Sequence, residues 1–142
     1  MSVDVKYRTK ATATGGRDGQ SGTDDGALNV KLVTPKELGG AGGDGVNPEQ
    51  LFATGYAACF LGALKFVAGH DKVKIPAEAT VDATVGIGPR ADGGGFGIEV
   101  ELTVTLPEID AAVADDLIAR AHVACPYSHA TQNNIKVDLK RG

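Results

Sequence analysis

Two residues in this chain could do thiol chemistry, Cys59 and Cys125, and they are its only cysteines. A thiolate is a strong nucleophile, so an oxidisable pair supports redox catalysis or disulfide exchange. Cys59 sits in Tyr56-Ala57-Ala58-Cys59-Phe60, among apolar groups. Taken alone, that setting favours a buried, inert thiol, because burial raises a thiol's pKa and silences it. A reactive Cys59 therefore needs a positive partner. Lys65, and Arg17 in a Gly-rich turn, are both candidates, and spacing does not choose between them.

His122, Cys125 and His129 fall at i, i+3 and i+7, so a continuous helix would aim them one way. With Cys59 they could make four zinc ligands. Against this, Pro126 interrupts the helix between Cys125 and His129, and there is no C-x-x-C pair; the reading is of no metal. Gly40-Ala41-Gly42-Gly43-Asp44-Gly45 fits G-x-G-x-x-G ahead of a helix. The preceding Pro35-Lys36-Glu37-Leu38 is not a buried parallel strand, however, and the acidic residue required about 20 positions on is missing. A flexible loop is expected there, and no cofactor. His70, next to a helix-ending glycine, is read as complementing the helix dipole.

These residues must be held by elements that the hydrophobic pattern outlines. Strands are expected at 3–9, 11–14, 27–33, 80–85, 98–106 and 135–139. In the fifth, Val100, Leu102, Val104 and Leu106 alternate with Glu101, Thr103 and Thr105, the period of a sheet with one wet face. Gly93-Gly94-Gly95 reads as a hairpin turn. A first helix opens at Asn47, with Pro48 at its first position and Gln50 placed to close a capping box, and ends near Gly69. Past its first turn its only charge is Lys65, so it belongs inside something. A second helix opens at Asp110 with Val113, Leu117, Ala121 and Ala124 on one stripe and Cys125 on or beside it. The order β-β-β-α-β-β-α-β is α+β. Residues 1–142 are read as one domain, with the long apolar helix buried at its centre and further covered in an intertwined homodimer.

Charge is mild: 14 Lys and Arg against 18 Asp and Glu leave a net −4, with no basic cluster larger than Lys140-Arg141. Nucleic acid and anionic membranes are poor partners for such a surface. The apolar stretch 51–69 approaches membrane-spanning length, but it carries Lys65 and is rich in Ala and Gly, so no membrane association is expected. The start, Met1-Ser2-Val3-Asp4-Val5-Lys6, has no apolar signal-peptide run. A cytoplasmic protein is expected, in which two cysteines are redox groups more often than staples.

Several segments together resemble the organic hydroperoxide resistance (Ohr) branch of the Ohr/OsmC family. They are Ala11-Thr12-Ala13-Thr14-Gly15-Gly16-Arg17-Asp18-Gly19, Thr34-Pro35-Lys36-Glu37-Leu38-Gly39-Gly40, Asn47-Pro48-Glu49-Gln50-Leu51-Phe52-Ala53 running into Gly55-Tyr56-Ala57-Ala58-Cys59-Phe60, and Cys125-Pro126-Tyr127-Ser128. The resemblance spans essentially the whole chain and implies an OsmC-like fold. It implies a peroxidase for organic hydroperoxides, with Cys59 peroxidatic, Cys125 resolving through an intrachain disulfide, and Arg17 and Glu49 activating Cys59; the small and apolar residues around Cys59 suit alkyl or fatty-acid hydroperoxides better than hydrogen peroxide. It implies no cofactor, and a dithiol reductant such as a lipoylated protein. Residues 129–134 match no role. Glu49 and Cys59 are ten positions apart, about 15 Å along a straight helix, so the glutamate must reach Cys59 from a second subunit or act through Arg17.

Overall fold

The computed structural model describes all residues, Met1–Gly142. The chain forms two compact units, Met1–Leu51 and Phe52–Gly142.

In the first unit, β1 (Ala11–Thr14), β2 (Gln20–Thr23) and β3 (Asn29–Lys31) form an antiparallel sheet in that order. The expected strand at 3–9 does not form: residues 1–10 join no sheet, and Val3 and Tyr7 are exposed. Their alternation is that of a strand, but pairing needs a partner edge. Conversely, β2 forms where no strand is expected. Its sequence, Gln-Ser-Gly-Thr, carries no apolar period, and it exists because its backbone groups pair on both sides. A one-turn 3-10 helix, Gly16–Asp18, links β1 to β2. The glycine-rich segment 40–45 is loop, as expected, and α1 (Pro48–His70) begins shortly after it.

The start of α1 follows the sequence signals. Gln50 N–H donates to Asn47 Oδ1 and Asn47 N–H donates to Gln50 Oε1, both at 2.9 Å, closing the capping box. Its end differs. Gly69 lies inside the helix, and the left-handed residue is Lys72, at φ 57°. Val73 N–H donates to the Ala68 carbonyl and Lys72 N–H to that of Gly69. Those are the two bonds of a Schellman motif, with lysine where glycine is usual.

The second unit holds the rest of α1, then β4 (Thr80–Pro89), β5 (Phe96–Thr105), α2 (Ala111–Ala124), α3 (Pro126–Thr131) and β6 (Val137–Arg141). β4 and β5 are an antiparallel hairpin closed through the glycine turn, where Arg90 N–H donates to the Gly95 carbonyl at 2.8 Å, and β6 joins β5 in parallel. The alternating residues Val100, Leu102, Val104 and Leu106 are buried as their period requires. They share one core with Tyr56, Phe60, Leu64 and Val67 of α1 and with Ala114, Leu117, Ile118 and Ala121 of α2. Each large side chain among these stabilises the fold by about 1.5–3 kcal/mol. The opposite side of α1, including Ala58, Gly62, Lys65 and Phe66, is exposed in the single chain.

Two details of α2 depart from expectation. Asp110 caps it as predicted, accepting from Ala112 N–H at 3.1 Å. The buried stripe agrees with expectation at Leu117 and Ala121 but differs at its edges: Ala114 and Ile118 are inside, while Val113 and Ala124 are exposed. Pro126 also does more than fray the end. It forces Cys125 out of helical conformation, to φ −69° and ψ 123°, and then starts α3 from the first helical position. The architecture is therefore α+β with one short helix more than the sequence suggested.

Candidate active site

Arg17 stands in the 3-10 turn after β1, and glycines shape that turn. Gly15 is left-handed at φ 70°, and a Cβ on Gly19 would lie 1.7 Å from the Thr14 carbonyl oxygen, so no other residue fits there. Asp18 fastens the turn by accepting from Thr34 N–H at 3.0 Å. From it the Arg17 guanidinium forks onto Glu49, in the first turn of α1, at 2.9 and 2.6 Å. Such a planar bidentate pair fixes both side chains in orientation as well as in distance. The Glu49 carboxylate is only 14% exposed, and hydrogen bonding from Arg17 holds its pKa below the ordinary value.

The second pair is made of the thiols. Cys59 lies mid-way along α1 and Cys125 at the break between α2 and α3, and their sulfurs are 3.6 Å apart. Neither is in a disulfide; Cys125 is fully buried and Cys59 partly so. Closing the gap to a disulfide of about 2 Å requires only a small side-chain movement. Burial pushes the Cys59 thiol above its ordinary pKa, the Tyr127 backbone N–H donated to its sulfur opposes this, and the adjoining Cys125 thiol pushes it up again. The requirement for a cation therefore stands in the folded chain. Lys65, one of the two candidates, is exposed.

An aromatic cluster joins α1 to α3. Phe52, Tyr56 and Tyr127 form a triangle with ring centroids 5.7–5.9 Å apart. Tyr127 lies so close over Gly55 that a Cβ there would come within 3.0 Å of its hydroxyl oxygen. Neither the triangle nor the Tyr127 amide is visible as such in the sequence, since no periodicity links Phe52 to Tyr127.

The histidines do not gather with Cys59 and Cys125. Because the helix breaks at Cys125, the i, i+3, i+7 spacing no longer describes one face. His122 Nδ1 lies 2.8 Å from Ser128 Oγ, and His129 Nδ1 lies 2.9 Å from Gln132 Nε2. No group of three or more His, Cys, Asp or Glu side chains comes together in a metal-binding arrangement. His70 lies in the last turn of α1, as expected, and its ring packs edge-on against Phe66 at 4.6 Å between centroids.

Comparison with known proteins adds the relatives of this arrangement. The family model described as OsmC-like protein matches residues 40–140. An organic hydroperoxide resistance protein of Xanthomonas axonopodis pv. citri is 58% identical over 135 residues, covering 95% of this chain and 94% of the relative. The organic hydroperoxide resistance protein OhrB of Bacillus subtilis is 42% identical over 134 residues, covering 94% and 96%. Among solved structures, an organic hydroperoxide resistance protein from Elizabethkingia anophelis superposes with a TM-score of 0.91 at 48% identity, covering 99% of both chains.

Proposed function

We propose that this chain, which belongs to the OsmC-like family and to its organic hydroperoxide resistance branch, is a thiol peroxidase that reduces organic hydroperoxides to alcohols. The observation that carries the reading is the pair of free thiols 3.6 Å apart, one buried and one partly accessible. The Cys59 thiolate attacks the terminal oxygen of the hydroperoxide. The O–O bond breaks, the alkoxide leaves and takes up a proton as alcohol, and Cys59 becomes a sulfenic acid. The Cys125 thiol then displaces the sulfenic hydroxyl as water and forms the Cys59–Cys125 disulfide, ahead of over-oxidation. A dithiol, best a lipoyl group on a carrier protein, reopens it by exchange and is itself oxidised. Hydroperoxide plus dithiol thus gives alcohol, water and a disulfide.

Arg17 supplies the positive charge that Cys59 lacks, and Glu49 orients the guanidinium. Support for these roles comes from the bidentate geometry of the pair and from the Cys59 pKa, which stays raised by burial despite the Tyr127 N–H. The accessible rings of Phe52 and Tyr127, which pack on the fully buried Tyr56, suit an alkyl or fatty-acyl chain better than hydrogen peroxide, which has no apolar part to bury. We place the whole of residues 1–142 in the cytoplasm as one functional domain, working as a homodimer with composite sites. What supports the dimer is the apolar surface left open by the single chain, including Phe66 on α1 and Val3 and Tyr7 near the N-terminus.

Steady-state consumption of cumene hydroperoxide with a dithiol tests the proposal. Wild type turns over, Cys59→Ser does not react, and Cys125→Ser reacts once and stops. Undiminished turnover in Cys59→Ser would remove the mechanism, and a preference for hydrogen peroxide would remove the substrate class.

A further inference from the structure

A chain of buried polar groups joins the three helices that carry the thiols. Tyr56, on α1 three residues before Cys59, is fully buried, and its hydroxyl lies 2.8 Å from Ser128 Oγ and 3.3 Å from Thr131 Oγ1, both on α3. Ser128 Oγ in turn lies 2.8 Å from Nδ1 of His122 on α2, and the Thr131 hydroxyl donates to the Ser128 carbonyl at 3.1 Å. Cys125 stands midway, three residues after His122 and three before Ser128.

Counting protons gives the chain a direction. Each hydroxyl has one proton to give, and four contacts need four. All four are made if His122 Nδ1–H donates to Ser128, Ser128 to Tyr56, Tyr56 to Thr131, and Thr131 to the Ser128 carbonyl. Run the other way, the Tyr56–Thr131 contact has no proton. The hydrogen-bond network thus assigns the Nδ1–H form to His122.

The position of Cys125 depends on this chain for three reasons. Its own backbone is extended at the corner between two helices: its N–H ends the ladder of α2 on the Ala121 carbonyl and its carbonyl begins that of α3 from His129 N–H, so neither helix runs through it. The helix that follows has six residues, too few to hold itself by local bonds. Most tellingly, the buried side chains of that helix are Ser128 and Thr131. They are anchored by hydrogen bonds to Tyr56, which add to the packing of the half-exposed Tyr127 ring on Phe52 and Tyr56.

We propose that Tyr56, Ser128 and His122 are positioning residues for the resolving thiol, holding the Cys125 corner against α1 so that its sulfur stays within reach of an oxidised Cys59. This rests on the sequential thiol chemistry proposed above. Condensation is intramolecular and depends on how well Cys125 is oriented. In it the Cys125 S–H proton and the sulfenic hydroxyl leave as water. The competing step, attack by a second hydroperoxide, adds an oxygen to the Cys59 sulfenic acid, giving a sulfinic acid and alcohol. Loosening Cys125 slows the first and leaves the second alone.

The test compares wild type, Tyr56→Phe, Ser128→Ala and Thr131→Ser by rapid mixing with cumene hydroperoxide. Mass spectrometry counts the sulfinic form of Cys59, and thermal unfolding confirms that each variant is folded. Tyr56→Phe keeps the ring and removes only the hydroxyl. The expected result is initial oxidation of Cys59 within about twofold of wild type in every variant, because that step does not use Cys125. The sulfinic fraction should rise about tenfold in Tyr56→Phe and Ser128→Ala, as the oriented condensation is lost, and stay unchanged in Thr131→Ser, which keeps its hydroxyl. Wild-type condensation in both hydroxyl-deletion variants overturns the proposal. So does an equal fall in both steps, which would mark a general structural role. A wild type that forms neither sulfenic acid nor disulfide would instead defeat the peroxidase reading, and the positioning role with it.

Discussion

Arg17 and Glu49 owe their geometry to charge on both partners, so their contribution is pH-dependent. The Glu49 carboxyl is held below its ordinary value of 4.5, chiefly by hydrogen bonding from Arg17. A folded-state value below the unfolded one stabilises the fold above about pH 4.5 and loses that effect as pH falls through the lower value. Urea unfolding should find Glu49→Gln less stable than wild type at neutral pH, with the gap closing on acidification. The gap will be modest, because Arg17 is 38% exposed and water screens the pair. A gap that persists at acid pH would mean that the amide in the Glu49→Gln variant is penalised for some reason other than charge. If Arg17 also serves the thiol, Arg17→Ala should lower the rate of Cys59 oxidation by about 10²-fold, the scale of losing one preorganised electrostatic donor. Arg17→Lys, which keeps charge but not the fork, should fall between. Ultraviolet titration of the thiolate in the Cys125→Ser background reads the same effect directly: the Cys59 pKa should rise when Arg17 is removed.

Among the elements, the two ends of α1 make a contrast. Its N-terminus is closed by a reciprocal pair of local hydrogen bonds, and its C-terminus is closed by a lysine in a conformation that suits glycine. Lys72→Gly should stabilise the protein by about 1 kcal/mol, the cost of left-handed backbone for a residue with a Cβ. Chemical denaturation checks this, and an equal loss would show that the Lys72 side chain is worth more than the strain. Gly19→Ala should do the reverse: with a carbonyl oxygen 1.7 Å from the new Cβ, the turn that carries Arg17 must rearrange. Both stability and Cys59 oxidation should drop, whereas Gly62→Ala, at a helix position with open space around it, should leave stability no worse.

At the scale of the whole molecule, several large apolar side chains stand open in the single chain. Phe66 is 64% exposed on the helix that carries Cys59, and residues 1–10 expose Val3 and Tyr7. If these surfaces are covered by a second copy, sedimentation will give a dimer, and Phe66→Glu will weaken it through the cost of burying a charge. If the sites are also composite, activity should fall with dissociation. A monomer with full activity would refute the composite site while leaving the thiol chemistry intact.

Much of the fold can be read from the residues alone, where the controlling interaction is local. Asn47, Pro48 and Gln50 settle the start of α1 because a capping box spans four positions. Asp110 does the same for α2, and alternation in β5 marks its buried face. The four candidate site residues come from motif resemblance, and the sequence's own chemistry adds only that a buried Cys59 needs a cation. The tertiary structure decided what depends on distant partners. Residues 3–9 alternate like a strand yet find no edge within the chain, while the polar Gln20–Thr23 becomes β2 because two edges flank it. The buried face of α2 keeps Leu117 and Ala121 as expected but takes Ala114 in place of Val113, since both are apolar and only the shape of the core chooses between them. Cys59 and Cys125 are 66 positions apart, and Tyr56 and Ser128 are 72. Periodicity and capping act over one or two turns of chain, so they can place each residue on its element. Which elements meet is fixed by packing of the whole core, and only that brought the sulfurs within 3.6 Å.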